Sequence, residues 1–302
     1  MENNTQLKEM IRSMVIDVLQ GQKQETASSQ PVKQAPRGQV EPGVFDTVDD
    51  AIQAAKAAQA RFEDCTLATR EKVIADIRAT MRPRVQELAQ KTVEETGMGR
   101  VADKVLKLNL TLDKTPGVED LVTECETGDN GMTLYELSAY GVIGAITPST
   151  NPAETLICNT IGMLAAGNAV FFSVHPGAKH LSRLLVSELN QIIAKSIGIE
   201  NLIVTLREPS IESAQEMMLH PDVSLLVVTG GPGVVKQALQ SGKKVIGAGA
   251  GNPPAFVDET ADIKKAAQDI VLGASLDNNI LCIAEKSVVA MRQIEPQLVQ
   301  EM

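Results

Sequence analysis

Cys282 is the residue best suited to covalent chemistry. It lies in the segment DNNILCIAEK at positions 277–286, where Asp277, Asn278 and Asn279 indicate a turn rather than a core strand. A thiolate can attack a carbonyl carbon, whereas most free cysteines are buried and inert. The pattern leaves both interpretations of Cys282 open. The other cysteines form no CxxC pair and are interpreted as inert thiols: Cys65, Cys125 and Cys158.

A second candidate is the segment TPSTNP at positions 147–152, which follows an apolar run. The order Asn151-Pro152-Ala153-Glu154 predicts a capping box with proline at the first helical position, and spacing alone favours this plain helix cap for Asn151. Alternatively, Ser149 or Thr150 caps the helix. The Asn151 amide would then be free to donate to an oxyanion.

Two glycine-rich segments could approach a phosphate group, TGGPG at 229–233 and GAGAGNPP at 247–254. Glycine lets the backbone come close to a ligand, and a helix N-terminus favours negative charge. Neither segment has the GxGxxG spacing, and tight turns also explain glycine pairs. His175, His180 and His220 show no HExxH spacing, so no metal site is predicted.

From residue 141 onward, short apolar segments alternate with amphipathic helices. This alternation predicts an α/β fold with a doubly wound parallel sheet. Ligands bind such sheets at the carboxyl ends of the strands. The loops TPSTNP, HPGAKH and TGGPG are therefore expected to share one site.

The preceding part of the chain is predicted to be helical. One helix is expected from Asp46 or Thr47 to Phe62, and a longer one over 68–96 is interrupted at Pro83. Gly97 is expected to end it. A further helix is predicted to end at Lys114, and residues 132–140 alternate like a strand.

Composition excludes several partners. There are 28 basic and 38 acidic side chains, giving a formal net charge of −10, which disfavours nucleic acid. Five Phe, two Tyr and no Trp argue against base-stacking surfaces. No apolar run suits a membrane span or secretory signal, so a cytoplasmic protein is expected.

The N-terminal region divides into two predicted segments. Residues 5–19 have one apolar stripe at helical spacing, and residues 20–43 are rich in Gln, Ser and Pro. The second segment is expected to be a disordered linker. The tethered helix is interpreted as a detachable docking helix. The alternative is a helix that folds back on the core or caps an oligomer.

Several motifs occur together and in collinear order between residues 43 and 289. They are SAYGVIGAITPSTNP, MLAAGNAVFF, HPGAK, LLVVTGGPG, GAGAGNPPAFVDETADI and GASLDNNILCIAEKS. In this combination the chain resembles the CoA-acylating aldehyde dehydrogenases. Within that family it is most similar to the propanal enzymes of 1,2-propanediol utilisation, with the acetaldehyde enzymes of ethanolamine utilisation as the alternative. The N-terminal helix and linker resemble an encapsulation peptide of bacterial microcompartments.

The resemblance implies a role for each matching residue. Cys282 would be the nucleophile, with the Asn151 amide and the Cys282 backbone N–H stabilising the oxyanion. NAD would be the cofactor and coenzyme A the co-substrate, with NAD preferred over NADP on family grounds alone. The residues implied to line the cofactor site are Thr147, Pro148, Ser149, Ser173, His175, Pro176, Gly230, Gly231, Val234 and Gly249.

Two substitutions distinguish this chain from other aldehyde dehydrogenases. Ala248 stands where hydrolytic members carry a glutamate base, so water would be poorly activated and a thiol favoured as acceptor. Ser173 stands where a lysine commonly contacts the cofactor ribose, so the choice of NAD or NADP is open.

The resemblance also implies an arrangement of domains. Residues 44–246 would form the NAD-binding domain with its N-terminal helices, and residues 247–302 the start of a second, incomplete α/β catalytic domain. The chain is expected to be a fragment of a homo-oligomeric enzyme inside a bacterial microcompartment, with shell proteins bound through residues 5–19. A non-catalytic docking module is the other hypothesis for the 302-residue chain.

Overall fold

A parallel six-stranded sheet organises the part of the chain that the structure describes. The structure is a computed structural model, and it describes residues 41–302. The predicted helix at 5–19 and nearly all of the predicted linker at 20–43 lie outside these residues. The sheet confirms the predicted α/β class with a parallel, doubly wound core.

The strands follow the apolar segments of the sequence closely. In chain order they are β1 Val44–Phe45, β2 Glu124–Gly128, β3 Gly131–Tyr135, β4 Val142–Ile146, β5 Ala169–Ser173, β6 Ile203–Leu206, β7 Val223–Thr229, β8 Lys244–Ala248, β9 Pro254–Val257 and β10 Ser287–Ala290. Six of them form the main sheet in the order β1-β6-β5-β4-β7-β8, with every pair parallel. Strands β4, β5 and β6 are buried at every position, as expected for a parallel sheet that helices cover on both faces.

The helices connect and cover these strands. In chain order they are α1 Val48–Glu63, α2 Leu67–Met81, α3 Val85–Thr96, α4 Val101–Lys114, α5 Pro152–Ala165, α6 Lys179–Ile197, α7 Ile211–Leu219, α8 Pro232–Leu239, α9 Ile263–Ser275 and α10 Glu295–Glu301. Helices α5 and α6 contact each other, and α1 contacts α7. Strands β4, β5 and β6 follow one another toward one edge of the sheet, and the next strand, β7, lies on the opposite side of β4. Because crossover connections are right-handed, this reversal is expected to place two groups of helices on opposite faces.

Local signals set the helix ends as expected. The Thr47 side chain caps α1 by accepting from the Asp50 N–H at 3.2 Å. Pro83 lies in a short 3-10 turn that separates α2 from α3. Gly97 ends α3 in the left-handed conformation, with φ 65°. The predicted starts, interruption and stop of these helices are confirmed.

The strand predicted over 132–140 was too long. The observed β3 ends at Tyr135, where it forms an antiparallel hairpin with β2, a strand that the sequence did not predict. Both strands are exposed at every position. Residues after Tyr135 have no strand partner, so alternation of side chains alone did not determine strand length there.

A small parallel pair, β9 and β10, follows the main sheet. It packs with α9 and α10 around a separate apolar cluster of Val257, Ala267, Ile270 and Leu298. Strand β8 stays in the main sheet as far as Ala248, two residues beyond the predicted boundary at 246. The division into two domains remains a prediction. None of the described helices has the length and apolar character that a membrane span requires.

Candidate active site

A cavity of about 580 Å³ opens at the carboxyl ends of β4, β5, β7 and β8. Strand β4 lies between β5 and β7, and the chain changes direction across the sheet at this point. Open parallel sheets bind ligands in the crevice at such a switch point. The location therefore agrees with the expectation that the three strand-end loops share one site.

The twelve residues proposed from the sequence all border this cavity: Thr147, Pro148, Ser149, Asn151, Ser173, His175, Pro176, Gly230, Gly231, Val234, Gly249 and Cys282. Ala248 also borders it. Two sides can be distinguished. We call residues 147–151, 173–176, 229–231 and 248–251 the strand-end wall, and residues 277–286 the cysteine loop.

The capping box predicted for Asn151 is wrong. Asn151 occupies the position before α5, but its side chain accepts no backbone N–H of that helix. Its Oδ1 instead accepts from the ammonium of Lys107, and its Nδ2 donates to Thr150 Oγ1 at 3.3 Å. The Lys107 ammonium is a stronger donor than a backbone N–H, so it takes the Asn151 oxygen that a helix cap would use. The amide is thereby freed from the helix. The alternative cap is not observed either, because neither Ser149 nor Thr150 accepts from a backbone N–H at the start of α5.

Buried charges lie directly behind Asn151. Lys104 and Lys107, one turn apart on α4, both contact the carboxylate of Asp277, with Lys104 Nζ 3.0 Å from Asp277 Oδ2. The Lys107 ammonium also lies 3.4 Å from Glu154 Oε1. Lys104 and Asp277 are fully buried. Two cations and two carboxylates balance each other, as burial of charge demands.

Opposing influences set the protonation of this cluster. Burial alone would raise the pKa of Asp277, but hydrogen bonds from Lys107, the Arg100 N–H and Lys104 together hold that pKa below its usual value. Burial lowers the pKa of Lys104, against the attraction of Glu154 and Asp277. Asp277 is therefore the charged anchor of the cluster.

The cysteine loop starts from this anchor in an uncommon backbone conformation. Asp277, Asn278 and Asn279 have φ values of 51°, 56° and 60°, in the left-handed region that Asn and Asp tolerate better than most residues. The Asn279 amide donates to the carbonyl oxygens of Ala274 and Glu285, at 2.6 and 3.0 Å. These contacts close the loop on itself and leave Cys282 exposed at the cavity.

Gly251 allows the two sides of the cavity to meet. A Cβ at this position would lie 2.3 Å from the carbonyl oxygen of Cys282, which is closer than a Cβ atom approaches a non-bonded oxygen. Only glycine therefore lets the backbone pass the nucleophile candidate at this distance. On the other side of the loop, the Lys286 ammonium donates to the carbonyl oxygen of Leu281 at 2.7 Å.

The strand-end wall has features that suit a polar ligand. Thr147 Oγ1 is buried at the cavity and has no hydrogen-bond partner among the described residues. A buried hydroxyl in this state is expected to pair with a ligand or water. Gly231 precedes α8 and is exposed, whereas the Gly230 N–H donates to the Ala248 carbonyl oxygen at 3.1 Å. His175 Nδ1 accepts from the Gly177 N–H at 3.1 Å, which fixes its ring beside the cavity.

Sequence reasoning missed Lys104, Lys107, Lys286 and Gly251. The two lysines of α4 have the spacing of a solvated helix face, and their acidic partner is some 170 residues away. Lys286 follows Cys282 by only four residues, and Gly251 lies in the glycine-rich segment at 247–254. These were the local signals available.

The chain is similar to known proteins over most of its length. Residues 18–302 match the aldehyde dehydrogenase family. The chain is 49% identical over 300 residues to a propanal dehydrogenase (CoA-propanoylating) of Salmonella typhimurium, covering 99% of this chain and 62% of that protein. It is 48% identical over 263 residues to an acetylating acetaldehyde dehydrogenase of Escherichia coli, covering 87% and 56%.

Solved structures agree. A propionaldehyde dehydrogenase from the fucose utilisation microcompartment of Clostridium phytofermentans superposes with a TM-score of 0.84 at 52% identity, covering 87% of this chain and 60% of that one. A propionaldehyde dehydrogenase of Rhodopseudomonas palustris, solved with CoA and an acylated cysteine, gives 0.83 at 52%, with the same coverage. The chain thus spans about three fifths of the length of these relatives. By sequence and by fold, it belongs to the aldehyde dehydrogenase family.

Proposed function

We propose that the protein carrying this chain is an NAD-dependent, CoA-acylating aldehyde dehydrogenase that oxidises propanal to propanoyl-CoA. The observation that carries the proposal is the position of Cys282 at the cavity that Asn151 and the strand-end loops border. The CoA-propanoylating and CoA-bound relatives support the same chemistry.

In this proposal the Cys282 thiolate attacks the aldehyde carbonyl carbon and forms a thiohemiacetal oxyanion. The Asn151 amide and the Cys282 backbone N–H donate hydrogen bonds to that oxygen. NAD, when bound, accepts the hydride that leaves the former carbonyl carbon. The acyl group then remains on Cys282 as a thioester.

Ala248 determines the fate of the thioester. Its methyl group borders the cavity and offers no base that could remove a proton from water. The CoA thiolate therefore attacks the thioester carbonyl, the Cys282 thiolate leaves, and acyl-CoA is released. The enzyme returns to its starting state without hydrolysis.

The cofactor would lie along the strand-end wall. Thr147 Oγ1 offers it a hydrogen bond, and the start of α8 after Gly230 and Gly231 suits a phosphate. Pro148, Ser149, His175, Pro176, Val234 and Gly249 would complete its contacts. Ser173 leaves the choice between NAD and NADP open. A comparison of kcat/KM for the two cofactors decides it. We expect the higher value for NAD.

Acetaldehyde is the second candidate substrate, because an acetylating relative is 48% identical. Specificity constants for propanal and acetaldehyde distinguish the two. We expect the larger value for propanal, and equal values would remove that preference.

We further propose that residues 5–19 dock the enzyme, as a homo-oligomer, to shell proteins of a bacterial microcompartment. The microcompartment origin of a structural relative supports this location. A reporter fused to residues 1–19 should localise to the compartments. A diffuse reporter in cells that make them would contradict the docking role.

Substituting Cys282→Ser tests the chemistry. In the protein as naturally expressed, CoA-dependent NADH formation from propanal should fall by on the order of a thousandfold or more, since a nucleophile is removed. Cys158→Ser is the control, because Cys158 is also exposed but lies on α5 and does not border the cavity. Activity retained by Cys282→Ser would refute the assignment.

A further inference from the structure

Two amide groups of the proposed oxyanion site share an unusual feature. The carbonyl oxygen of each accepts a hydrogen bond from a lysine ammonium. Lys107 donates to Asn151 Oδ1, and Lys286 donates at 2.7 Å to the carbonyl oxygen of Leu281. The Leu281 carbonyl and the Cys282 N–H belong to one peptide group. In both proposed oxyanion donors, the oxygen of the same amide group thus contacts a cation.

A cation at the oxygen of an amide changes the nitrogen end. It draws electron density toward the oxygen, so that the N–H becomes more positive and a stronger donor. Linked hydrogen bonds strengthen one another by roughly 10–30% per bond. The gain is largest where the acceptor is an anion, because charge-assisted bonds are about twice as strong as neutral ones.

Lys107 also fixes which end of the Asn151 amide faces the cavity. An ammonium has donors only, so it pairs with Oδ1 and excludes the flipped orientation. Lys104 Nζ lies 3.4 Å from the same oxygen and reinforces this choice. Nδ2 uses one N–H on Thr150 Oγ1. The second N–H is then available to a ligand.

The two lysines have different surroundings. Lys107 is buried and balanced by Asp277 and Glu154. Lys286 is exposed, and within residues 41–302 its ammonium donates only to carbonyl oxygens of the loop, those of Leu281 and Ala284. A change at Lys286 therefore tests the function of the cation with little cost to folding.

We propose that Lys107 and Lys286 are positioning residues that polarise the two amides of the oxyanion site. The proposal rests on the function proposed above. It assigns to Lys286 an action through the peptide of Cys282, and to Lys107 an action through Asn151. Neither lysine needs to touch the substrate.

The test substitutes Lys286→Met and Lys286→Arg in the protein as naturally expressed. We expect kcat for propanal oxidation to fall about tenfold in Lys286→Met, a fraction of the loss seen when an oxyanion donor is removed outright. KM for propanal and for NAD should stay within about twofold, because the gain arises only on the oxyanion. Lys286→Arg should recover most of kcat. Lys264→Met, at an exposed lysine of α9 outside the cavity, is the matched control.

Alkylation of Cys282 by iodoacetamide separates polarisation from effects on the thiol, because that reaction forms no oxyanion. The rate, followed by mass spectrometry of the Cys282 peptide, should change much less than kcat. If alkylation falls by the same factor as kcat, Lys286 acts on the thiol and the proposal is overturned. Unchanged kcat in Lys286→Met overturns it as well.

Failure of the proposed function gives a different result. A parent protein that forms no CoA-dependent NADH from propanal or acetaldehyde lacks that function altogether. An active parent with an equally active Lys286→Met variant refutes the polarisation alone. For Lys107, a Lys107→Gln variant assayed at a temperature where circular dichroism shows it folded should lose kcat similarly, with KM for NAD within about twofold of the parent. Full kcat in that variant would remove Lys107 from the proposal.

Discussion

The strand-end wall and the cysteine loop border the same cavity. The lysines of α4 contact both, through Asn151 and Asp277, but otherwise different forces hold the two sides in place. The wall ends the buried strands β4, β5 and β7, whose side chains belong to one large apolar core. The loop starts from Asp277, whose neighbours are two lysines and an arginine N–H. Apolar packing is non-directional and tolerant, whereas buried ion pairs depend on geometry. The strand-end wall thus gains a robust frame and the cysteine loop a precise one.

Truncating the core beneath the wall is expected to have the largest effect on stability. Phe172 on β5 is fully buried, and Phe172→Ala should lower the free energy of unfolding by about 3–5 kcal/mol. The alkylation rate of Cys282 in the remaining folded protein should not change, because the loop is anchored elsewhere. Urea unfolding and peptide mass spectrometry measure the two. A large change in alkylation would show that the two sides are not held independently.

Removing the charge of Asp277 should change both the free energy of unfolding and the alkylation rate of Cys282. Asp277→Asn leaves two buried lysines without their shared carboxylate, which is expected to cost about 3 kcal/mol of stability. The cysteine loop should also lose its fixed start, so Cys282 alkylation changes. Asp269→Asn is the control, since its pair with Lys265 is exposed and screened by solvent, so that its loss should change the unfolding free energy little. Equal effects of the two variants would argue against an anchoring role.

The contact between the two sides can be disturbed at Gly251. Gly251→Ala places a methyl group against the Cys282 carbonyl oxygen and should destabilise the fold by about 1–3 kcal/mol. Gly249→Ala has open space at its Cβ and should leave the unfolding free energy within about 0.5 kcal/mol of the parent. Chemical denaturation of both variants checks this. Similar losses would mean that backbone freedom, not close approach, explains the glycines.

The smallest effect concerns pH. Because the pKa of Asp277 is lowered in the folded state, its contribution to stability is complete above the unfolded value, about 3.9. That contribution is lost as pH falls through the folded pKa, since the folded carboxylate must then be protonated. The stability difference between the parent and Asp277→Asn should therefore shrink below about pH 4. Thermal unfolding from pH 6 to pH 3 measures it, and a constant difference would contradict the assigned cause.

The difference between the two sides also explains what the sequence could predict. Apolar strands such as AVFFS and their loops follow regular patterns, so the sheet and the meeting of its strand-end loops at one cavity were anticipated correctly. Helix α4 does not follow such a pattern. Its Lys104 and Lys107 are buried while Leu106 and Leu110 are exposed. No local signal reveals this inversion, because the residue that stabilises the lysines is far away in the chain.

Asn151 shows the same limit at one residue. Its spacing from Glu154 matches a capping box, and short-range patterns gave no reason to reject that interpretation. The Lys107 ammonium determined the outcome, and it comes from another helix. Strand β3 was similarly predicted too long, and its partner β2 was not predicted, since strand pairing depends on the partner strand as well as on alternation.

The separation of 170 residues between Lys107 and Asp277 has a consequence for synthesis. At about 5–20 residues per second, a ribosome needs roughly 10–30 s to proceed from one to the other. Strands β4 to β8 are made within that interval, and until it ends the lysines of α4 have no buried carboxylate of the loop to pair with. The strands of the main sheet are thus synthesised before the carboxylate that anchors the cysteine loop.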